Sequence, residues 1–369
     1  MQLTNRLVVG VLALVGLVAA GAVEAAPAAV TDRATVTASA VRTSPPDPLP
    51  GVSNPPPLPP VADLVDTTRP DIVVGSGTPS SCTSAAVVDA VARGGVIAFD
   101  CGPEPVTIAM TATAKVVNTS RVVVLDGGGL VTLDGLDRRR ILYMNTCDRA
   151  QVWTTPHCQN QEHPILTVQR ITFTDGNSIG ETVDGGGGGA MFVRGGQVKV
   201  VDVAFTDNRC EPTGPDVGGG ALRVLSQFEG RPVVVASSTF IGNRCSNGGA
   251  TSSIGVSWQV LNSTFVDNRA IGSGANPQRP GTPGGGNGGA IYLDGNEMTL
   301  DLVGSIVADN VANEGGGAIF FVSNNRTGRA FVRSSELVAN PSRGFETSGF
   351  PGIFHLGSGP PVVTDSTLR

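Results

Sequence analysis

Four residues invite a ligand-binding reading because each stands at the same place in a recurring motif. Phe192, Arg223, Tyr292 and Phe320 each lie two positions after the alanine of a Gly-Gly-Ala segment, and Ser252 holds that place in a fifth copy. Alternate side chains of a strand face opposite sides. With Met191, Leu222, Ile291 and Ile319 turned into a core, the other five point outward together. Three aromatic rings and a guanidinium stacked at strand spacing could form a sugar-stacking platform. The opposing reading is that long Gly-rich loops, such as residues 269–287, fold over the stripe.

Two charged constellations accompany it. Arg209, Arg244 and Arg269 each directly follow an Asn, and Asp207, Asp267 and Asp309 directly precede one. A row of guanidinium groups suits carboxylated sugars, whereas ion pairing with the neighbouring Asp residues at a surface would contribute little. Asp184, Asp216 and Glu314 lie shortly before Gly runs, with Asn247 and Asn287 in similar places. On adjacent coils Asp184 and Asp216 could form an acid/base pair or a Ca²⁺ site. If the chain is catalytic, these two with Arg209 and Arg244 are the candidates. Asp and Asn before Gly are also ordinary turn formers, and the offset from the Ala varies, which argues against a rigid site. No CxxC is present and only three His, so no resident metal or cofactor is expected. Gly-x-Ser-x-Gly at a strand-helix elbow is absent, which leaves Ser-His-Asp catalysis without a signal.

Repetition is what would position these residues. Gly-Gly-Ala plus one further residue occurs at Gly188-Gly189-Ala190-Met191, Gly219-Gly220-Ala221-Leu222, Gly248-Gly249-Ala250-Thr251, Gly288-Gly289-Ala290-Ile291 and Gly316-Gly317-Ala318-Ile319. Phe-x-x-Asn occurs at 205–208, 240–243 and 265–268, with weaker copies ending at Asn310 and Asn340. The alanines are 31, 29, 40 and 28 residues apart. Fixed elements at variable spacing mean fixed strands joined by variable loops. One coil of short strands cannot bury its own apolar face, so the coils must stack. Stacking makes a ladder of Phe205, Phe240 and Phe265, and a second ladder of Asn208, Asn243, Asn268, Asn310 and Asn340. Side-chain amides in the latter can bond to one another and to turn backbone.

Upstream, short strands over 96–99, 106–108, 122–125, 131–133 and 141–144 are separated by Asp-Gly and Gly-Gly, with no alternating helices, so a βαβ sheet is excluded. A short helix is expected over 86–92, ended by Gly94-Gly95. Residues 26–70 are rich in Ala, Thr, Ser and Pro. They read as a disordered linker with an extended Pro-rich second half. Residues 1–25 read as a signal peptide: one charge in Met1 to Arg6, an apolar run over 7–23, and Val23-Glu24-Ala25 as the cleavage site. The run is about long enough for a short span, but Gly10, Gly16 and Gly21 suit a cleaved segment. No second apolar span follows, so the mature form should not cross a membrane.

Six cysteines suit an oxidising compartment. Cys82 and Cys101 flank the helix and its following strand, Cys147 and Cys158 bracket one polar loop, and Cys210 and Cys245 each lie two residues after a ladder Asn. Adjacent parallel strands are about 4.8 Å apart, within disulfide reach. The net charge of −6 makes nucleic acid an unsuitable partner.

The Gly-Gly-Ala-Ile and Phe-x-x-Asn pair resembles the repeats of polymorphic outer-membrane-protein-type β-helices, within the wider pectin-lyase-like group. The resemblance covers roughly residues 165–340. It implies an all-β fold: a single-stranded right-handed parallel β-helix over 71–369, with a capping helix in 80–95 and coils over 95–369. Ending at Arg369, the chain is expected to lack the C-terminal membrane barrel of surface-displayed members. The hydrolase members' Gly-His-Gly has no counterpart at His157, His163 or His355, and the lyase members' Ca²⁺-binding motifs have none either. The expectation is therefore a secreted or cell-envelope protein that presents an extended binding face to a polysaccharide or cell-surface glycan. The rival is a polysaccharide lyase or glycoside hydrolase acting on an acidic polysaccharide.

Overall fold

A computed structural model describes Val52 and residues 55–182 and 185–369. The signal-peptide reading and Asp184 fall outside the described residues.

Nearly all regular structure is short parallel strand, gathered into curled sheets in a solenoid-like stack. Among the described residues there are three sheets, of sixteen, eight and three strands. The largest bends into two arms. Its first arm pairs Val200 with Val235, Val235 with Val260 and Val260 with Leu302. Its second arm pairs Phe205 with Phe240, Phe265, Val307 and Leu337 in turn. The eight-stranded sheet carries the Gly-Gly-Ala segments, with Met191, Leu222, Thr251, Ile291, Ile319 and Ile353 in register. Their inward neighbours Val193, Val224, Leu293 and Phe321 complete one continuous core. The helix spans Ser84–Arg93, with the Thr83 side chain accepting from the Ala86 N–H and Gly94 at the C-cap. Val87, Ala90 and Val91 join the same core beside the first strands.

Each bend is built the same way in successive coils. Between the two arms, Arg170, Asp202, Ser237, Asn262 and Ser334 adopt left-handed φ of 46–56°, and Gly304 does so without strain. The next residue is a serine in five coils. Ser238, Ser263, Ser305, Ser335 and Ser366 each accept, through Oγ, the backbone N–H of the corresponding residue one coil earlier at 3.0–3.1 Å. This serine ladder was not anticipated. At the next bend the asparagine ladder forms as expected. Nδ2 of Asn208, Asn243, Asn268 and Asn310 donates to Oδ1 of the following Asn at 2.9 Å. The same Oδ1 accepts the backbone N–H of the preceding Asn.

The two glycines of each Gly-Gly-Ala have different causes. The first takes φ of 52–75°, where a side chain would be strained. A Cβ on the second would collide with backbone, mostly carbonyl oxygens of the neighbouring coil.

Three disulfides join Cys82 to Cys101, Cys147 to Cys158 and Cys210 to Cys245. The last pair has its Cα atoms 4.8 Å apart, which is the coil spacing itself. Replacing both Cys210 and Cys245 with Ser should cost about 3–4 kcal/mol for the 35-residue separation on the loop-entropy account. Urea midpoints of the two proteins measure this, and peptide mapping of unreduced protein checks the pairing.

The linker expectation needs correction over its C-terminal part. Residues 55–70 lie ordered along the flank of the largest sheet as a strap. Ala62 is buried against Val201, Ala236 and Leu261. Asn262 donates to the Pro56 carbonyl and Lys199 to the Asp63 carbonyl, while Gln169 exchanges two hydrogen bonds with the Val65 backbone. Thr67 donates to the buried carboxylate of Asp126, which also accepts from Arg170, Gln169 and the Gly128 N–H. Lacking an apolar period of its own, the strap is ordered by partners on distant strands.

Burial pushes the Asp126 carboxyl up, but the hydrogen bonds from Arg170, Thr67, Gln169 and Gly128 outweigh it and hold it below the usual carboxylate range. A depressed folded-state pKa contributes stability that is present above the unfolded value, about 3.9, and is lost as pH falls through the folded one. The strap should therefore stay docked at pH 5 and loosen below about pH 4. Limited pepsin cleavage within 55–70, followed by mass spectrometry from pH 5 downward, reads this. A pH-independent cleavage rate would remove the role given to Asp126.

Candidate functional site

The outward stripe on the eight-stranded sheet exists in the expected register. Tyr143, Phe192, Arg223, Ser252, Tyr292, Phe320 and Phe354 are cross-strand neighbours in that order. Rings stack where they are adjacent, Tyr143 on Phe192 at 5.5 Å and Tyr292 on Phe320 at 5.0 Å between centroids.

An open platform is not what results, and this corrects the expectation. Phe192, Tyr292 and Phe320 are buried, as are Arg223 and Ser252. Loops of unequal length roof them. The Arg140 guanidinium lies over Phe192, 5.1 Å from its centroid, held by the Gly187 and Gly188 carbonyls. Asn276, from the Gly-rich segment 272–286, donates to the Tyr292 hydroxyl and to Asp294. Phe345 packs edge-on against Phe320. Burial pushes the Tyr292 hydroxyl well above its ordinary pKa, helped by the Asp294 carboxylate.

The acidic constellation divides into structural parts. Glu314 is buried and clamps the roof, accepting from the Gly274 N–H at 2.9 Å and pairing with Arg279 at 2.7 Å. Asn247 donates to the Gly214, Pro215 and Val217 carbonyls, and its Oδ1 accepts the Asn287 N–H. Asn287 in turn accepts the Gly315 N–H. These are loop anchors and a short third ladder, which explains why their offsets vary with the loops. Asp216 is exposed at a loop tip. Among the described residues no group of three His, Cys, Asp or Glu side chains that could hold a metal ion is gathered. Arg244 and Arg269 are in register on the three-stranded sheet, and Arg209 joins Arg244 by an isolated parallel bridge. Arg209 pairs with Asp137 at 2.5 Å, not with the neighbouring Asp residues. Burial raises the Asp207 carboxyl, partly offset by Arg244.

The eight-stranded sheet carries a cleft of about 450 Å³ lined by Gln159, Arg194, Arg223, Leu225, Ser226 and Ile254. It crosses the ends of three successive strands, Met191–Arg194, Leu222–Val224 and Thr251–Ile254. Gln159 sits beside Cys158, so the Cys147–Cys158 bond braces one wall. The Asp216 carbonyl of the 211–217 loop accepts from Arg223 Nη2 at 2.5 Å. Arg223 Nε and Nη1 have no hydrogen-bond partner in the protein. Burial lowers its pKa to about 10, against the pull of Tyr292 and Asp216, so it stays cationic at neutral pH. Of the four residues expected to touch ligand, Arg223 alone lines this cleft. The other lining residues follow it at strand ends or come from the 158–160 turn, and no repeat marked them.

A second, smaller cavity of about 120 Å³ lies further along the same face, between Thr113, Lys115, Arg140, Tyr143, Asp148 and Glu181. Its charges are mutually arranged, with Arg140 3.8 Å from Glu181 and the Tyr143 hydroxyl bonded to Asp148.

Among the described residues no helix is long and apolar enough to cross a membrane. Compared with protein-family models, curated proteins and solved structures, the chain matches none.

Proposed function

We propose that this chain is an exported, right-handed parallel β-helix of the pectin-lyase-like kind, and that it binds a polysaccharide or cell-surface glycan without cleaving it. The parallel coils, the Asn and Ser ladders and the capping helix support the finer fold. Three disulfides support passage through an oxidising compartment, and the N-terminal pattern supports export.

The observation that carries the binding reading is the cleft across three consecutive coils. Its volume, about 450 Å³, falls within the usual range for ligand sites, about 300–1,000 Å³. Its floor is held by hydrogen-bonded parallel strands of three consecutive coils, so the lining is preorganised and binding orders little. The apolar Leu225 and Ile254 beside Gln159, Ser226 and two arginines suit a ring with hydroxyl groups.

Retention on immobilised neutral and acidic polysaccharides, with released reducing and unsaturated ends assayed in the same tubes, tests the proposal. Retention without release is expected. Release of unsaturated or reducing ends would replace it with a lyase or a hydrolase, and retention on none would end it.

A further inference from the structure

We infer that the flank of the largest sheet, where the strap lies, is a contact between two copies of this chain, with the strap of each copy set into the groove beside the strap of the other. This does not rest on the glycan reading, because the cleft lies on the eight-stranded sheet and the strap on the largest one.

The strap supplies a ridge. Its chain is extended at Pro59 and Asp63 and makes one 3-10 turn over Pro60–Ala62. Extended Pro-rich chain and the 3-10 helix both repeat every three residues. Leu58, Val61 and Leu64 therefore share one side, while Ala62 faces the sheet. That side is turned to solvent, with the three 36 %, 48 % and 45 % exposed. Val122 and Ile165, paired on adjacent strands of the same sheet, are exposed too. These are five of the eleven exposed large apolar side chains among the described residues. Single ones scattered over a surface need no partner, but a concentration on one flank points to an interface.

The groove runs beside the ridge. It holds about 460 Å³, with Pro60, Val61 and Val65 of the strap on one side and Ile165, Lys199 and Arg231 among the sheet residues on the other. Thr167, Lys199 and Val234 are cross-strand neighbours in its lining. They stand two residues along from Gln169, Val201 and Ala236, the row on which the strap is seated.

Charge fits the one to the other. The groove lining holds Lys199 and Arg231 and no carboxylate, whereas the strap bears exposed Asp63 and Asp66. None of these four forms an ion pair among the described residues. Lys199 donates to the Asp63 carbonyl and feels the Asp63 charge within its own chain, which leaves Asp66 and Arg231 for a partner. An acidic apolar ridge thus lies next to a basic apolar groove. A two-fold axis between two copies sets each ridge against the other's groove, and one surface patch serves both. An apolar middle with charged margins is also the usual make-up of such a contact. The dimer would offer two clefts to one polysaccharide, which raises retention without any new contact to it.

Sedimentation equilibrium of the exported protein from about 1 to 100 μM tests this. A monomer–dimer equilibrium within that range is expected. Leu64→Arg on the ridge and Arg231→Glu in the groove should each weaken it about tenfold or more by setting like charges or an unmatched carboxylate at the contact. Urea midpoints should not change, because both side chains are exposed. An equimolar mixture of the two variants should recover dimer, since one intact ridge then meets one intact groove and the new Arg faces the new Glu. If either variant fails to fold, Leu58→Arg or Ile165→Glu takes its place. Protein that stays monomeric at the highest concentration would overturn the inference and leave the flank to a different partner. A dimer that both variants leave intact, or a mixture that dimerises no better than its components, would overturn it as well. None of these outcomes bears on glycan retention by the cleft.

Discussion

Asn268→Ala should lower the unfolding free energy by about 3 kcal/mol or more, an unusual loss for a small polar residue in a turn. Asn268 is fully buried in the middle of its ladder. Its Oδ1 accepts both the backbone N–H and the Nδ2 of Asn243, and its own Nδ2 donates to the Phe240 carbonyl and to Asn310 Oδ1. Removing the amide strands two buried donors on Asn243, each at about 1–3 kcal/mol, and leaves a small cavity. Asn268→Leu fills that volume yet still strands both donors, so it should not rescue. Asn268→Asp keeps the acceptor but loses both donated bonds and buries a charge, so it should lie between them only at acidic pH, where the carboxyl is protonated. Urea denaturation of the three variants at pH 7 and pH 4 checks the order. A loss below 1 kcal/mol for Asn268→Ala would mean that water replaces the ladder.

That ladder was readable because each of its members sits at one offset from a strand that must recur in every coil. The Gly-Gly-Ala register was readable for the same reason, and Cys210 with Cys245 followed from the offset to Asn208 and Asn243. The serine ladder had an equally regular signal, since Ser238 and Ser263 precede Phe240 and Phe265 by two, and Ser305, Ser335 and Ser366 hold the same place before Val307, Leu337 and Leu368. It escaped notice because serine is common at surfaces, and its role lies in a bond from Oγ to another coil's backbone that no apolar period announces. The strap over 55–70 was misread because its order depends on Asp126, Gln169, Lys199 and Asn262, each far away in sequence. The open platform failed for a further reason. Outward direction follows from strand alternation, but exposure follows from loops whose lengths differ between coils. Hence Phe192, Arg223, Tyr292 and Phe320 point outward and are covered all the same.

Phe240→Ala should cost about 3–5 kcal/mol, and the position of Phe240 in its column says why the figure belongs at the upper end. The aromatic column is one ring longer than the Phe-x-x-Asn repeats suggest. Phe173 stacks on Phe205 at 5.3 Å, Phe205 on Phe240 at 4.8 Å and Phe240 on Phe265 at 4.6 Å, with the last pair nearly parallel. All four are fully buried. Truncating Phe240 removes a ring with a neighbour on each side, so two stacked contacts go along with the transfer term, each about 0.5–1.5 kcal/mol beyond area. The gap cannot collapse readily, because the Asn and Ser ladders at either end of the strand hold the coils at their spacing. Beyond Phe265 the column continues as Val307 and Leu337, whose aliphatic side chains lack those stacked partners. Val307→Ala should therefore cost about 1–2.5 kcal/mol, close to the loss of two buried methyl groups and a small void. Phe240→Leu should fall between the two, retaining volume and losing the stacks. Guanidinium unfolding of the three variants gives the comparison directly. If Phe240→Ala cost no more than Val307→Ala, the column would contribute as bulk apolar volume, and the matched ring spacing would have no energetic meaning.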